Sequence, residues 1–398
     1  MNNPEILVVG AGLSGATIAR EYAEQGIRVL VIDKRDHIGG NVYDYIDMET
    51  GIRMSKYGAH LFHTNDAEVW AYVQRFGSWA RWDHRVVADV SGKYLPIPVN
   101  INTVNGLFNE NIQTSAEMNR WLEEERAGFN IGDWAPKHSE DVALKRVGWR
   151  LYKTLFKPYT IKQWAKQPVE LEPSVLERIP VRNDFDDRYF SDRFQGLPVD
   201  GYTNIVHNML DHPNITVKLH TDWLSITDKT WKELVFTGPI DVYFKDKGLP
   251  ALEYRSIQFE IQRHKCDGYL QPNSVVNYPS PENIYTRCVE YKHFLHQKSA
   301  WTVMVREKTC AEGEPYYPVP TQNNRDIYNM YANLAEKETG VHFVGRLASY
   351  KYFNMDQAIR NSLDYFKKVL LPRVALLKMA DVKMVVTEIE EEPWDKMD

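Results

Sequence analysis

The first residues that could do chemistry are the glycines of the segment Gly10-Ala-Gly-Leu-Ser-Gly15, which follows a short apolar run. Gly10 permits a tight turn, Gly12 lets backbone amides approach a pyrophosphate, and Gly15 lets a helix pack closely on a strand. The start of that helix would offer N–H groups to phosphates. Asp33 follows Gly15 by 18 residues, within reach of a ribose hydroxyl. The pattern predicts a dinucleotide site, although an ordinary tight turn would also use such glycines.

Later glycines favour FAD over NAD as the dinucleotide. Ile38-Gly-Gly-Asn41 follows the second predicted strand, and a glycine pair there resembles flavin proteins of the glutathione-reductase type. Two further strands end in glycine turns, at 235–241 and 343–346, and a helix is expected to begin at Asn354-Met355-Asp356. The start of that helix could direct amides at the flavin or its pyrophosphate. Taken alone, either turn is equally compatible with the plain end of a strand.

The segment Tyr57-Gly-Ala-His-Leu-Phe-His63 is a second candidate for contact with the flavin. Gly58 would let the backbone approach a flat ring, and His60 could form a hydrogen bond at the ring's reactive edge. His60 is equally compatible with a structural role. For His63 we favour the structural role.

Aromatic residues and an arginine form a third group. Phe156-Lys-Pro-Tyr159 contains a basic residue and a proline, which predicts a surface turn where an aromatic face can stack on a base, although clustered aromatics are usually core. Arg178 lies in a loop-like run, 170–179, with prolines at its edges. A cation on a mobile arm would suit closure over a charged ligand, and a solvated surface charge is the alternative.

The elements that must position these residues can be read from periodicity. A buried strand at 5–9, a helix with Gly15, Ile18, Ala19 and Tyr22 on one face, and a buried strand at 28–32 form one βαβ unit of a parallel sheet. The period is mainly helical from 104 to 189. Strand-like alternation from 249 to 305 predicts an antiparallel sheet. We expect a helix at 365–377, kinked or ended by Pro372.

Composition limits the function classes. The 398 residues are 43% hydrophobic and 26% charged, which is typical of a soluble globular protein with two or three domains. The net charge of −6 argues against nucleic acid as a partner. Cys266, Cys288 and Cys310 are too far apart for a metal knuckle and odd in number, so we expect reduced thiols and no metal site. The absence of a long apolar run or a leader pattern predicts a cytoplasmic protein without membrane insertion.

Together the motifs resemble the bacterial, flavin-dependent UDP-galactopyranose mutase family over nearly the whole chain. Besides the segments above, the resemblance rests on Pro158-Tyr-Thr with Gln163-Trp164, on 198–203, on 237–244 and, most specifically, on 345–359. It implies an isomerase that interconverts UDP-galactopyranose and UDP-galactofuranose without net redox change. N5 of reduced FAD would be the covalent nucleophile at the anomeric carbon. The resemblance further implies a homodimer, an external electron donor to FAD, and a role in cell wall biosynthesis.

The fold implied is α/β: a discontinuous FAD-binding Rossmann-like domain (1–80, 200–245 and 320–398), an inserted helical domain with a mobile substrate loop (100–199), and an inserted antiparallel β-sheet domain (81–99 and 246–319). By the same resemblance, the catalytic residues would be His60, Arg178, Arg287 and Arg346. Those binding substrate would be Phe156, Tyr159, Trp164, Arg178, Tyr189, Arg287, Tyr317, Tyr352 and Asn354, the last at a position where some relatives have Asp. Those binding FAD would be Gly10, Gly12, Ser14, Gly15, Asp33, Lys34, Gly39, Gly40, Asn41, Gly58, His60, Gly345, Arg346, Met355 and Asp356.

Physical chemistry supports this interpretation. UDP carries about two negative charges at neutral pH, so an acidic protein must place arginines locally to hold it. No Ser–His pair or carboxylate dyad stands out as a nucleophile, which favours the cofactor in that role. One rival is a flavin oxidoreductase of the amine-oxidase type, which predicts net reduction of FAD by its substrate. Another is a non-catalytic protein resembling the GDP-dissociation inhibitors, which predicts a protein without flavin.

Overall fold

The protein is built on a parallel sheet of five strands. A computed structural model describes residues 4–127, 135–177, 179–227 and 230–378. All pairings in this sheet are parallel, and the strands follow one another in space as Ile215–Lys218 (β10), Val29–Ile32 (β2), Ile6–Val9 (β1), Glu233–Phe236 (β11) and Val341–Phe343 (β17). β1 is buried along its whole length, as expected for a strand covered on both faces.

The predicted βαβ unit is present at the centre of this sheet. Helix α1 (Leu13–Glu24) joins β1 to β2 and buries Gly15, Ile18 and Tyr22, the face expected from the sequence. Gly26 follows the helix with φ +81°, a conformation that favours glycine at a helix end. Helices α8 (Tyr202–Leu210) and α11 (Met355–Tyr365) pack beside α1. Together they form the largest hydrophobic core.

The described residues of the region predicted to be mainly helical, 104–189, are mainly helical up to Glu177 and not from 179 to 189, and the region has its own core around Trp121 and Tyr152. Its helices are α3 (Ile101–Phe108), α4 (Ser115–Ala127), α5 (Ser139–Leu151), a π-helical turn (Tyr152–Phe156), α6 (Lys157–Trp164) and α7 (Ser174–Glu177). The expectation of a loop at 170–179 was partly wrong, because α7 lies within it. Pro173 directly precedes α7, and proline starts a helix as readily as it interrupts one.

A mixed sheet of seven strands forms the third region. In spatial order its strands are Tyr317–Pro318 (β16), Tyr254–Lys265 (β12), Trp301–Cys310 (β15), Arg287–Glu290 (β14), Val275–Asn277 (β13), Val86–Val90 (β7) and Lys93–Ile97 (β8). The predicted antiparallel order holds except between β13 and β7, which are parallel. These two strands come from distant parts of the sequence, so no hairpin forces them to be antiparallel.

Smaller elements complete the fold. Two short sheets pair Asp44–Ile46 (β3) with Arg53–Ser55 (β4), and Phe194–Pro198 (β9) with both Phe62–Thr64 (β5) and Trp79–Arg81 (β6). The remaining helices are α2 (Ala67–Gln74), α9 (Ile240–Tyr243) and α10 (Gln322–Ala335). The predicted domain borders stay a prediction.

The helix that begins at Met355 differs from expectation at Pro372. It continues through residue 378, and a π-helical turn at Phe366–Leu370 precedes the proline. Because proline has no N–H to donate, a change of hydrogen-bond pairing just before it lets the helix continue. The acidic segment after Glu388 lies outside the described residues. Within the described ranges, no helix is long and apolar enough to cross a membrane. No cluster of His, Cys, Asp and Glu in those ranges could hold a metal ion.

Candidate active site

The glycine turns predicted from the sequence meet at the carboxyl ends of β1, β11 and β17. A Cβ placed on Gly10 would lie 2.2 Å from Thr237 Oγ1, and one on Gly15 would lie 1.9 Å from the carbonyl oxygen of Gly10. A Cβ on Gly345 would lie 2.6 Å from Ser14 Oγ. Gly10 and Gly345 each lie against a side-chain hydroxyl of another turn, and Gly15 lies against the backbone of its own turn, so a Cβ at any of the three would force a shift.

The Gly-Gly pair after β2 closes the same turn from the other side. A Cβ on Gly40 would lie 2.9 Å from Gly12 Cα, and the Gly39 N–H donates to the carbonyl of Ala11 at 2.9 Å. Gly39 has φ +91° and Gly40 has φ +56°, so both use the conformational freedom of glycine. The Asp33 carboxylate accepts a hydrogen bond from the Ala11 N–H at 2.8 Å, which fixes it at the end of β2.

Charged side chains surround this carboxyl end of β2. The ammonium of Lys34 lies 2.9 Å from Glu314 Oε1. Arg35 donates to Asn41 Oδ1 at 3.0 Å and to Glu314 Oε2 at 3.2 Å, and its guanidinium lies 4.4 Å above the ring of Tyr57. The sequence analysis named Lys34 and Asn41 but missed Arg35 and Glu314, because nothing in the sequence brings residue 314 next to β2.

The start of α11 offers a further polar surface. Asn354 caps this helix, and Met355 and Asp356 form its first turn. Asp356 Oδ1 is buried and has no hydrogen-bond partner among the described residues. A buried acceptor without a partner is costly, and the hydroxyl of a bound group would satisfy it. This acceptor and the glycine turns fit a flavin dinucleotide.

A cavity of about 430 Å³ lies where the three regions meet, a size typical of small-molecule sites. The predicted residues that line it are His60, Phe156, Tyr159, Trp164, Tyr189, Arg287, Tyr317, Arg346, Tyr352, Asn354 and Met355. Arg178 lies outside the described residues. The other predicted residues do not line this cavity. All of them except Gly58 belong to the glycine turns, the end of β2 or the start of α11.

Arg287 is held by a buried carboxylate. It begins β14, opposite Glu307 on β15, and its Nε donates to Glu307 Oε2 at 2.7 Å. Burial opposes the charge of Arg287, but the Glu307 carboxylate together with the phenols of Tyr317 and Tyr159 outweighs burial and raises the pKa of the guanidinium. We expected Gly58 to let the backbone approach a flat ring, and here it leaves space for this pair: a Cβ there would lie 3.4 Å from one guanidinium nitrogen. The sequence analysis missed Glu307, since its role depends on strand register.

Aromatic rings and a second arginine form the adjoining wall. The rings of Trp164, Tyr317 and Tyr352 contact one another at centroid distances of 5.4–6.2 Å. The Arg346 guanidinium lies 5.2 Å from the Tyr317 ring and 4.7 Å from the Tyr352 ring. Burial raises the pKa of Tyr159 and of Tyr317, so both hydroxyls remain protonated donors at neutral pH. Trp164 is only 4% exposed, so a ligand could contact only a small part of its surface.

His60 is held in one tautomer. Its Nδ1 lies 2.8 Å from the carbonyl oxygen of Gly58. A carbonyl oxygen only accepts, so Nδ1 carries the hydrogen and Nε2 keeps its lone pair. Burial lowers the pKa of His60 to about 4, and the nearby charges of Arg346 and Arg287 act in the same direction. At neutral pH His60 is therefore an uncharged acceptor at Nε2.

A second histidine group on the cavity wall was not anticipated. His63 Nδ1 lies 2.9 Å from Asp192 Oδ2, and its ring stacks on Phe190 at 3.7 Å. Burial lowers the pKa of neighbouring His84 to about 3. All four residues line the cavity. The structural role that we favour for His63 stays a prediction, and the sequence gives no sign that Asp192, 129 residues later, pairs with it.

Comparison with known proteins identifies the family. Residues 154–352, half of the chain, match the family model described as UDP-galactopyranose mutase, and residues 8–76 match that of an NAD(P)-binding Rossmann-like domain. A probable UDP-galactopyranose mutase of Klebsiella pneumoniae is 39% identical over 367 residues, which cover 91% of this chain and 94% of that protein. The chain belongs to the UDP-galactopyranose mutase family. A UDP-galactopyranose mutase of Mycoplasma pneumoniae is 31% identical over 93% of this chain and 97% of that protein.

Three further comparisons concern the substrate and the fold. An Escherichia coli protein named dTDP-fucopyranose mutase is also 39% identical, over 90% of this chain and 97% of its own length. A crystal structure of reduced UDP-galactopyranose mutase superposes with a TM-score of 0.74 at 15% identity, covering 92% of this chain and 96% of that one. A putrescine oxidase variant reaches 0.59 at 13% identity over 92% and 99%, which shows a shared fold alone.

Family membership confirms the predicted α/β fold with a Rossmann-like domain and the prediction of an isomerase. It also implies a flavin cofactor.

Proposed function

We propose that this isomerase interconverts UDP-galactopyranose and UDP-galactofuranose with reduced FAD and without net redox change. The observation that carries the proposal is the convergence, in one cavity, of Arg287, Arg346 and an aromatic wall from three separate regions of the fold. An acidic protein needs such local cations to hold a nucleotide diphosphate.

The nucleotide would bind between α6 and β14. Phe156, Tyr159 and Trp164 would surround the uracil, and Arg287 would hold the diphosphate with Arg178 as a second cation. The hydroxyls of Tyr189, Tyr317 and Tyr352 line the same cavity and would donate to phosphate oxygens. When the anomeric C–O bond breaks, charge develops on the departing UDP, and fixed cations stabilise that charge.

FAD would be held by the glycine turns, Asp33, Lys34, Asn41 and the start of α11. When bound and reduced, it would supply N5 as the nucleophile for the anomeric carbon. Arg346 and His60 would contact the sugar and the flavin edge. Nε2 of the uncharged His60 would accept a hydrogen bond from a sugar hydroxyl. The aromatic wall would exclude water while the diphosphate stays bound.

A second candidate substrate is dTDP-fucopyranose, because the Escherichia coli protein of that name is as similar to this chain as the Klebsiella pneumoniae relative. The ring contraction would be the same. Fucose lacks the 6-hydroxyl of galactose, and thymine carries a methyl group that uracil lacks. A comparison of the two substrates therefore tests the contacts around the 6-position of the sugar and around the base.

The experiment is an anaerobic assay with the flavin-loaded protein reduced by dithionite. UDP-galactofuranose and dTDP-fucofuranose are supplied separately, and the nucleotide sugars are separated by chromatography. We expect UDP-galactopyranose as product with a kcat/KM higher than that for the dTDP sugar. The opposite ratio would assign the second substrate. No pyranose from either, with flavin bound and reduced, would reject the mutase proposal, and substrate-driven reduction of oxidised flavin would support an oxidoreductase.

Covalent catalysis is tested separately. The reaction is quenched with a borohydride reagent, and the flavin is examined by mass spectrometry for a conjugate with the sugar. A flavin with carbon in place of N5 is the matched control and should give neither conjugate nor turnover. Vigorous turnover with that analogue would reject N5 as the nucleophile.

We also propose that the protein acts in the cytoplasm as a homodimer, with an external donor that reduces FAD, and that its product serves cell wall biosynthesis. Light scattering after size-exclusion chromatography tests the dimer. A monomer at assay concentration would contradict it.

A further inference from the structure

Lys162 is a cation that the proposed reaction does not use. It lies on α6 between Tyr159 and Trp164 but does not line the cavity. Its ammonium donates to four backbone carbonyl oxygens at 2.5–3.0 Å, those of Tyr278, Ser280, Asn283 and Tyr285.

These carbonyls belong to one irregular loop, residues 278–286. Four carbonyl oxygens that converge on one point repel each other and need a donor to satisfy them. An ammonium has three N–H groups, so one is shared. Burial lowers the pKa of Lys162 to about 8, which leaves it charged at pH 7. A neutral aliphatic side chain would take this donor from all four carbonyls, and the Ser280 carbonyl would keep its hydrogen bond from the Asn283 N–H at 3.3 Å.

The loop leads directly into the cavity wall. It joins β13, which ends at Asn277, to β14, which begins at Arg287. Asn277, Pro279 and Arg287 all line the cavity. Across the cavity, the charge of Arg287 is close enough to act on the Tyr159 phenol. Lys162 therefore holds the loop that leads directly to Arg287.

The main chain of α6 is tied to the same sheet. Thr309 Oγ1 on β15 donates to the carbonyl of Lys162 at 2.5 Å, and Arg255 Nε on β12 donates to the carbonyl of Gln163 at 3.4 Å. In the last turn of α6, the sheet thus binds the carbonyls of Lys162 and Gln163, and the loop binds the side chain of Lys162. Both sets of bonds join the helical region to the seven-stranded sheet.

We propose that Lys162 is a positioning residue for nucleotide binding, which fixes α6 to the loop before β14 and so sets the distance between Tyr159 and Arg287. The proposal rests on the proposed function, in which UDP binds between these two residues. Lys162 would not contact the nucleotide. Its loss should weaken UDP binding while FAD remains bound, because the four carbonyls that its ammonium binds do not belong to the glycine turns.

The test measures UDP affinity by isothermal titration calorimetry on the oxidised, flavin-loaded protein. We expect Lys162→Met to raise the Kd for UDP about tenfold, or ~1.4 kcal/mol. In the mutase assay, KM should rise more than kcat falls. Lys162→Arg, which keeps a cation with several donors, should recover UDP affinity to within about threefold of the wild type.

Lys166→Met is the matched control, since Lys166 lies four residues after Lys162. Its ammonium pairs at 3.2 Å with the Glu253 carboxylate, whereas that of Lys162 binds backbone carbonyls. It should leave the Kd unchanged. A Lys162→Met protein that retains FAD and binds UDP like the wild type would overturn the proposal; if that variant does not fold, wild-type affinity in Lys162→Gln would do so. Failure of the wild type itself to bind UDP would instead reject the proposed function.

Discussion

At the scale of single residues, Arg287 offers the clearest test of the nucleotide site. Glu307 accepts a hydrogen bond from its Nε, and Arg287 lines the cavity. Arg287→Ala should lower kcat/KM at least about a hundredfold, because removing one preorganised donor to a developing charge costs that much in other enzymes. Flavin content should be unchanged. Arg325→Ala, on an exposed pair with Glu172, is the control. Full activity in Arg287→Ala would remove Arg287 from the mechanism.

His60 allows a test of which ring nitrogen matters. Asparagine can replace Nδ1 as donor to the Gly58 carbonyl, whereas glutamine places its amide near Nε2. If the acceptor at Nε2 contacts the sugar, His60→Gln should retain about tenfold more kcat than His60→Asn. Both variants should be compared at pH 7, where His60 is neutral because burial lowers its pKa to about 4. Equal kcat values for the two would show that Nε2 is not used.

The buried His84 predicts how stability depends on pH. Burial lowers its pKa to about 3, whereas the unfolded chain has a pKa near 6.5, so between these values only the unfolded state takes up the proton. Stability should be lost as the pH falls below about 6.5, by ~2 kcal/mol at pH 5. Urea unfolding at pH 7 and pH 5 measures this loss, and His84→Phe should reduce it. An unchanged pH dependence in that variant would assign the loss to other groups.

At the scale of elements, the sequence was informative where chemistry is local. The first strand, α1 and the glycine turn need only neighbouring residues, and they were predicted correctly. Contacts that depend on long-range register were not accessible: Glu307 beside Arg287, Glu314 beside Lys34, and Asp192 beside His63. Periodicity identifies which face of a strand is buried, but it does not say which strand lies next to it. The parallel pairing of β13 with β7 was missed for the same reason.

The glycine turn gives a prediction for the Rossmann-like element itself. Gly15→Ala would place a Cβ 1.9 Å from the carbonyl oxygen of Gly10, so the turn must shift and FAD binding should be lost. Gly26→Ala is the matched control, because a Cβ there meets nothing within 4 Å and only the positive φ is unfavourable. It should cost about 1 kcal/mol of stability and retain the flavin. Flavin absorbance of the purified variants measures both. A yellow Gly15→Ala protein would contradict the close packing.

At the scale of the whole molecule, the cavity depends on all three regions, since Trp164, Arg287 and Arg346 come from different ones. Binding of UDP should therefore stabilise the complete fold. At 100 times its Kd, a ligand adds about 2.7 kcal/mol, which should raise the Tm of the flavin-loaded protein by a few degrees. At the same concentration, uridine, which lacks the diphosphate, should raise it much less, and the difference between the two ligands should be smaller in the Arg287→Ala protein. Because that variant keeps the aromatic wall, the comparison isolates the contribution of Arg287 to diphosphate binding. Equal shifts with uridine and UDP in the wild type would show that the arginines do not hold the diphosphate.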